Sequence, residues 1–206
     1  MSNAALLLRF VASLKNEAKV LGITFAVLLL LPAFVVIAAA QSGLSAVSSA
    51  LAWLNPVTHM VEVKDPKGNL ITQLNATTAW PARGMVTTEF GDTTPYQDHH
   101  TGIDIALKAG EPITTFMEGT VIKVENNPVA SGYGIHVIVS HGNNITSLYG
   151  HMKETKVSVS QKVKPGDVLG LEGATGHVTG VHLHFEIRVY DVAVNPRTFM
   201  VGDPQK

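Results

Sequence analysis

Apolar and polar positions follow three patterns in succession along the chain. Leu21 to Ala40 is predominantly apolar and carries no charge over 20 residues. It matches the roughly 20 apolar residues that a helix needs to cross a hydrocarbon core of about 30 Å. Ser42 to Leu54 mixes small and apolar residues, ends in Ala52-Trp53-Leu54 and is broken by Asn55-Pro56. This predicts a short helix, read as an interfacial segment or a stalk. Val57 to Val63 and Leu70 to Leu74 read as two strands around Asp65-Pro66-Lys67-Gly68, which has Pro second and Gly fourth as in a type I turn. From Trp80 onward, short β-rich runs alternate with glycine-marked turns: Met85 to Phe90, Ile113 to Glu125, Gly134 to His141, Ile145 to Met152, Asp167 to Leu171 and His182 to Val189. None has a sustained helical period. The expected fold is mostly β, a small antiparallel sheet or barrel-like domain behind an N-terminal transmembrane helix. The expected division is 1–19 cytoplasmic, 20–40 anchor, 41–80 a stalk with a short helix and a β-hairpin, and 81–206 the main domain.

Charge orients this arrangement. Arg9, Lys15 and Lys19 precede the uncharged run, with Glu17 the only acid there. The positive-inside rule then places the N-terminus in the cytoplasm and the main domain on the periplasmic or extracytoplasmic side of a single-pass protein. A second reading is a signal peptide cleaved after Ala38-Ala39-Ala40. Signal h-regions usually run about 7–15 residues, so the longer run favours the anchor. Over all 206 residues, Lys+Arg 15 against Asp+Glu 16 gives a net charge of −1. With no basic block, nothing points to a nucleic-acid partner. The chain has no cysteine, which excludes disulfides and thiolate metal sites.

The candidate chemistry lies in histidines. In Val181-His182-Leu183-His184-Phe185-Glu186, alternation places His182 and His184 on one strand face and Leu183 and Phe185 on the other. His100-Thr101-Gly102-Ile103-Asp104 pairs an imidazole with a carboxylate, and Ser147 to His151 brings Tyr149 and His151 to one face by the same alternation. A hydrolytic zinc site needs three protein ligands and one open position. Two imidazoles and a carboxylate supply them, leaving two histidines for proton transfer. His59, His99, His136 and His141 read as ordinary polar or structural residues, and His177 lies in a loop beside the expected groove.

Taken together, these motifs resemble the lysostaphin-type zinc endopeptidases that cut peptidoglycan cross-bridges. Phe90-Gly91, Gly119-Thr120-Val121, Tyr133-Gly134, Val163 to Asp167, Gly176 to Gly180 and Asn195-Pro196 extend the resemblance over roughly Pro81 to Met200. It implies that His100, Asp104 and His184 bind Zn2+ and that His151 and His182 serve catalysis, with the general base left open between them. Tyr149 is a candidate for positioning substrate or a core residue. Glu186 either orients a ligand from behind or pairs with Arg188. Asp92 and Thr93 stand where the family often carries Arg, so the loop to Asp98 is expected to suit a different substrate. The implied function is a membrane-tethered, zinc-dependent endopeptidase acting on peptidoglycan peptide stems, with the D-alanyl cross-link of a thin wall as the expected bond. The alternatives are an inactive scaffold that activates other wall hydrolases, and a wall-penetrating subunit of a conjugation or viral machine. The sequence does not set the oligomeric state.

Overall fold

The computed structural model describes residues 44–77, 79–129 and 132–205. The uncharged run Leu21 to Ala40 lies outside the described residues, and no described helix is long and apolar enough to cross a membrane.

The described chain opens with one short helix, α1 (Leu44–Leu51), followed at once by strand β1 (Ala52–Leu54). The helix was expected to run through Leu54. It stops earlier because Ala52, Trp53 and Leu54 pair antiparallel with Val63, Glu62 and Val61 of β2 (Met60–Lys64). Ladder pairing and burial beside Val61 and Val63 override a local helical pattern, as tertiary context commonly does. β2 pairs in turn with β3 (Leu70–Asn75). The joining turn has the expected chemistry: Gly68 N donates to Asp65 O at 2.9 Å, and Asp65 Oδ1 accepts from Lys67 N and Asn69 N. β2 starts at Met60 rather than Val57 because the Asn55 side chain accepts from the backbone of Val57 and Thr58 and folds that segment into a turn.

The remaining strands are β4 (Met85–Thr88), β5 (Ile103–Ala106), β6 (Pro112–Thr114), β7 (Gly119–Glu125), β8 (Ile135–Ser140), β9 (Ile145–Met152), β10 (Glu154–Thr155), β11 (Lys162–Val163), β12 (Val168–Leu171), β13 (His182–Val189) and β14 (Val192–Val194). A large antiparallel sheet runs β11-β7-β8-β9-β13-β5-β4. β14 lies beside the second half of β13, beyond the end of β5. A small sheet, β10-β12-β6, completes the described strands. The mostly β, antiparallel expectation holds. Among the described residues the large sheet ends at β11 and β4, which do not pair with each other, so it is an open sheet rather than a closed barrel.

One face of the sheet packs the core, with Ile103, Ile105, Phe116, Val137, Tyr149, Leu183, Phe185 and Ile187 all essentially inaccessible. Fully burying an aliphatic or aromatic side chain of this size contributes about 1.5–3 kcal/mol. Leu51, Ala52, Val61 and Val63 belong to the same core. Ser48 Oγ accepts from Asn195 N at 2.7 Å, next to the short 3-10 turn Pro196–Thr198. Over its described residues, the expected stalk is therefore packed into the main body.

β13 positions the chemistry. His184 sits opposite Asp104 of β5 on one side and Gly150 of β9 on the other. A one-residue slip of β5 against β13 would turn Asp104 into the core.

Candidate metal centre

Three side-chain atoms converge above β13. His100 Nε2 lies 3.1 Å from Asp104 Oδ1, His184 Nδ1 lies 3.0 Å from the same oxygen, and the two nitrogens are 3.0 Å apart. All three residues are buried. A tetrahedral zinc ion with bonds of about 2.0–2.1 Å keeps its ligand atoms about 3.3 Å apart. The triangle therefore has the size, the nitrogen and oxygen donors and the one-sided access of a three-ligand site with an open position. Each imidazole is oriented from its far nitrogen. Glu89 O accepts from His100 Nδ1 at 3.1 Å, and Glu186 Oε1 accepts from His184 Nε2 at 2.9 Å. Such outer partners fix which ring nitrogen is free to bind.

His151 and His182 stand beside this triangle with their rings edge to face. His151 Nδ1 donates to Thr175 O at 2.8 Å and His182 Nδ1 to Gly180 O at 3.1 Å. A carbonyl can only accept, so Nδ1 carries the proton and Nε2 keeps its lone pair in the neutral ring. Burial lowers the pKa of His151 to about 4, although the Thr175 carbonyl works against the shift. Burial likewise lowers that of His182, against the pull of Asp104. Both rings are thus kept neutral near pH 7. Asp104 and Glu186 are kept ionised: burial would raise both, but His100 and His184 hold Asp104 well below the usual carboxylate range, and His184 with Arg188 holds Glu186 at about 2.

Tyr149 does not line this site. It is completely buried under the sheet, its hydroxyl bonded to Ser147 Oγ at 3.0 Å and Thr115 Oγ at 3.2 Å. The substrate-positioning expectation is corrected in favour of the core. The reason is a bulge: Gly150 and His151 together oppose His136, between the pairs Val137–Tyr149 and Ile135–Met152. His151 adopts φ 63°. The extra residue breaks the alternation that placed Tyr149 and His151 together, and a bulge of this kind re-aims a side chain. Glu186 contacts both residues considered for it: Oε1 accepts from His184 Nε2, and Oε2 accepts from Arg188 Nε at 2.7 Å.

A groove of about 660 Å3 opens over the cluster, walled by Thr93 to Gln97, by Gly132 and Tyr133, and by His177 to Thr179. His177 thus reaches the groove, while His136 and His141 are taken up by backbone carbonyls elsewhere. Tyr96 spans the opening, its hydroxyl 3.4 Å from Val178 O and its ring stacked on His177 at 5.7 Å. Asp92 lines the groove while its Oδ2 accepts from Glu89 N. Gly176 lets two wall segments touch: at φ 80°, a Cβ there would lie 2.4 Å from Gly132 O. Sequence reasoning assigned no site role to Tyr133 or Thr101. Both donate to Glu186, and the only signal was the Tyr133-Gly134 pair opening β8.

The family model for peptidase family M23 matches residues 98–196. The peptidoglycan DD-endopeptidase ShyA of Vibrio cholerae is 41% identical over 96 residues, covering 47% of this chain and 22% of that protein. The murein hydrolase activator EnvC of Escherichia coli is 32% identical over 121 residues, covering 59% and 28%. The chain thus spans less than a third of the length of these curated relatives. Among solved structures, a zinc-containing peptidase from Vibrio cholerae aligns with TM-score 0.54 at 29% identity, over 74% of this chain and 46% of that one. A variant of the catalytic domain of the prophage-encoded M23 protein EnpA from Enterococcus faecalis aligns with TM-score 0.51 at 35% identity, over 56% and 90%. With the matched segment spanning every residue of the triangle and both flanking histidines, the chain belongs to peptidase family M23.

Proposed function

We propose that the chain is a zinc-dependent endopeptidase that hydrolyses peptide cross-links of bacterial peptidoglycan, held at the membrane by Leu21 to Ala40 with its sheet domain on the extracytoplasmic side. The observation that carries the reading is the buried His100–Asp104–His184 triangle flanked by two neutral imidazoles with free Nε2 atoms. In this reading His100, Asp104 and His184 hold the ion. When bound, zinc supplies Lewis acidity and lowers the pKa of water in its open position toward about 7. His151 or His182 would take a proton at Nε2 as general base, and the imidazolium so formed would hydrogen-bond the developing oxyanion or pass that same proton to the leaving amine. Nδ1 of each stays bonded to its carbonyl throughout, so the rings keep their aim. The groove accepts an extended peptide beneath Tyr96, and the close glycine walls allow backbone-to-backbone approach.

The D-alanyl cross-link is the bond we assign, supported by the kinship with a DD-endopeptidase. A second reading, an activator of other hydrolases, is favoured by the kinship with EnvC. The complete donor triangle and both flanking imidazoles weigh against it. Incubating the purified protein with thin walls and with glycine-bridged walls, then resolving fragments by mass spectrometry, tests the assignment. Release of cross-linked dimers as monomers, abolished by a chelator, is expected. Cleavage confined to glycine bridges overturns the bond assigned, and no cleavage by zinc-loaded protein favours the activator.

A further inference from the structure

Glu186 is wholly inaccessible and receives five donors from three parts of the chain. Oε1 accepts from His184 Nε2 at 2.9 Å, Tyr133 OH at 2.7 Å and Thr101 Oγ. Oε2 accepts from Arg188 Nε and Nη2, both at 2.7 Å. Arg188 Nη2 also donates to Tyr133 OH at 3.1 Å, closing the ring of contacts. His184, Glu186 and Arg188 share one face of β13, while Thr101 precedes β5 and Tyr133 precedes β8. A carboxylate offers about four lone-pair sites, so this one is saturated.

Saturation matters because Glu186 lies directly behind a ligand. A mobile carboxylate there has two ways to spoil a three-ligand site. It can release His184, so that the ring turns and presents the wrong nitrogen, or it can swing forward and occupy the open position itself. We propose that Thr101, Tyr133 and Arg188 are positioning residues: they clamp Glu186 so that His184 offers Nδ1 to the metal, and they keep the Glu186 carboxylate out of its coordination. The inference rests on the zinc reading above. It adds a link between groove and metal, because the Tyr133 ring lines the groove while its hydroxyl belongs to the clamp.

The test measures metal binding rather than turnover. Zinc affinity of the purified full chain is read by competition with a chromophoric chelator, and coordination by the visible absorption of the cobalt(II)-substituted protein. Tyr133→Phe removes one hydroxyl, and Arg188→Met removes the fork. Each is expected to weaken zinc by about 10–100-fold, the usual effect of losing an outer-shell partner, and to alter the cobalt bands. Arg188→Lys keeps the charge but not the bidentate geometry and is expected to stay weak. Ser147→Ala breaks a buried network that touches no ligand. It should lower thermal stability and leave affinity and cobalt bands unchanged. If Tyr133→Phe and Arg188→Met bind zinc within twofold of the wild type with the same cobalt spectrum, or if Arg188→Lys restores both fully, the clamp is overturned while the zinc reading stands. If the wild type takes up no zinc, or His184→Ala takes it up undiminished, the zinc reading fails and the clamp with it.

Discussion

His151 and His182 face each other with ring centroids 4.9 Å apart and planes at 69°, and they arrive there by different routes. His182 lies on the regular face of β13, whereas His151 is turned into the groove by the bulge in β9. Neither belongs to the donor triangle; His182 Nε2 is 3.7 Å from Asp104 Oδ1. His151→Ala and His182→Ala should therefore retain zinc and fold but lose about 10²- to 10⁴-fold in turnover, the range for a positioned acid–base group. Loss of zinc in either, with His100→Ala retaining it, would show that ligand and catalyst are exchanged.

Metal content should be one zinc per chain, and His184→Ala should abolish it. Because the triangle exists only in the folded chain, zinc held there would stabilise the native state by mass action, by about 4 kcal/mol at a thousandfold excess over its dissociation constant. Thermal unfolding with and without a chelator measures this. An unfolding midpoint indifferent to the chelator would contradict a bound structural load on these residues.

A prediction away from the metal concerns Glu172, which is fully inaccessible at the end of β12. Burial raises its pKa from the model-peptide value of 4.5 to about 8, and the Gly173 amide works against the rise without offsetting it. The folded state thus holds a proton that the unfolded chain releases near 4.5. The stabilising contribution is complete below that value and is lost as the pH rises through about 8. His141 runs the opposite way: burial lowers its pKa from 6.5 to about 4, so its contribution is complete above 6.5 and declines as the pH falls toward 4. Between pH 6.5 and 8 the Glu172 contribution falls, as does that of His184, whose pKa, against its burial, the Asp104 and Glu186 carboxylates raise to about 9, so stability should decline. Glu172→Gln should flatten that decline and raise the midpoint at pH 8 by a few degrees, given about 2–4 °C per kcal/mol for a chain of this size. An equal gain at pH 5 would point to packing instead.

For the N-terminus, protein recovered from membranes should begin before Leu21. A mature chain starting at Gln41 would identify Leu21 to Ala40 as a signal peptide.

Much of the β layout was legible because its signals are local. Alternation placed His182 and His184 on one face, and the Asp65 to Gly68 turn carried its own chemistry. The convergence of His100 and Asp104 with His184 is a register between β5 and β13. It was reached through a family resemblance rather than through spacing. Two failures share a cause. Tyr149 was misplaced because a bulge leaves no mark in a run such as Ser147 to His151, and Trp53 was read as helical because its strand partner lies across a turn. Tyr133 and Thr101 escaped notice because their partner, Glu186, is more than fifty residues away in each case.

The packing of α1 and β1–β3 into the main body has a mechanical consequence. Ser48 is bonded to Asn195, Trp80 Nε1 donates to Val201 O, and Leu51 and Val61 sit in the shared core. The described residues from Leu44 to Trp80 thus form a bracket rather than a leash. A load applied at α1 therefore reaches Asn195, directly after β14, through Ser48 rather than through a free linker.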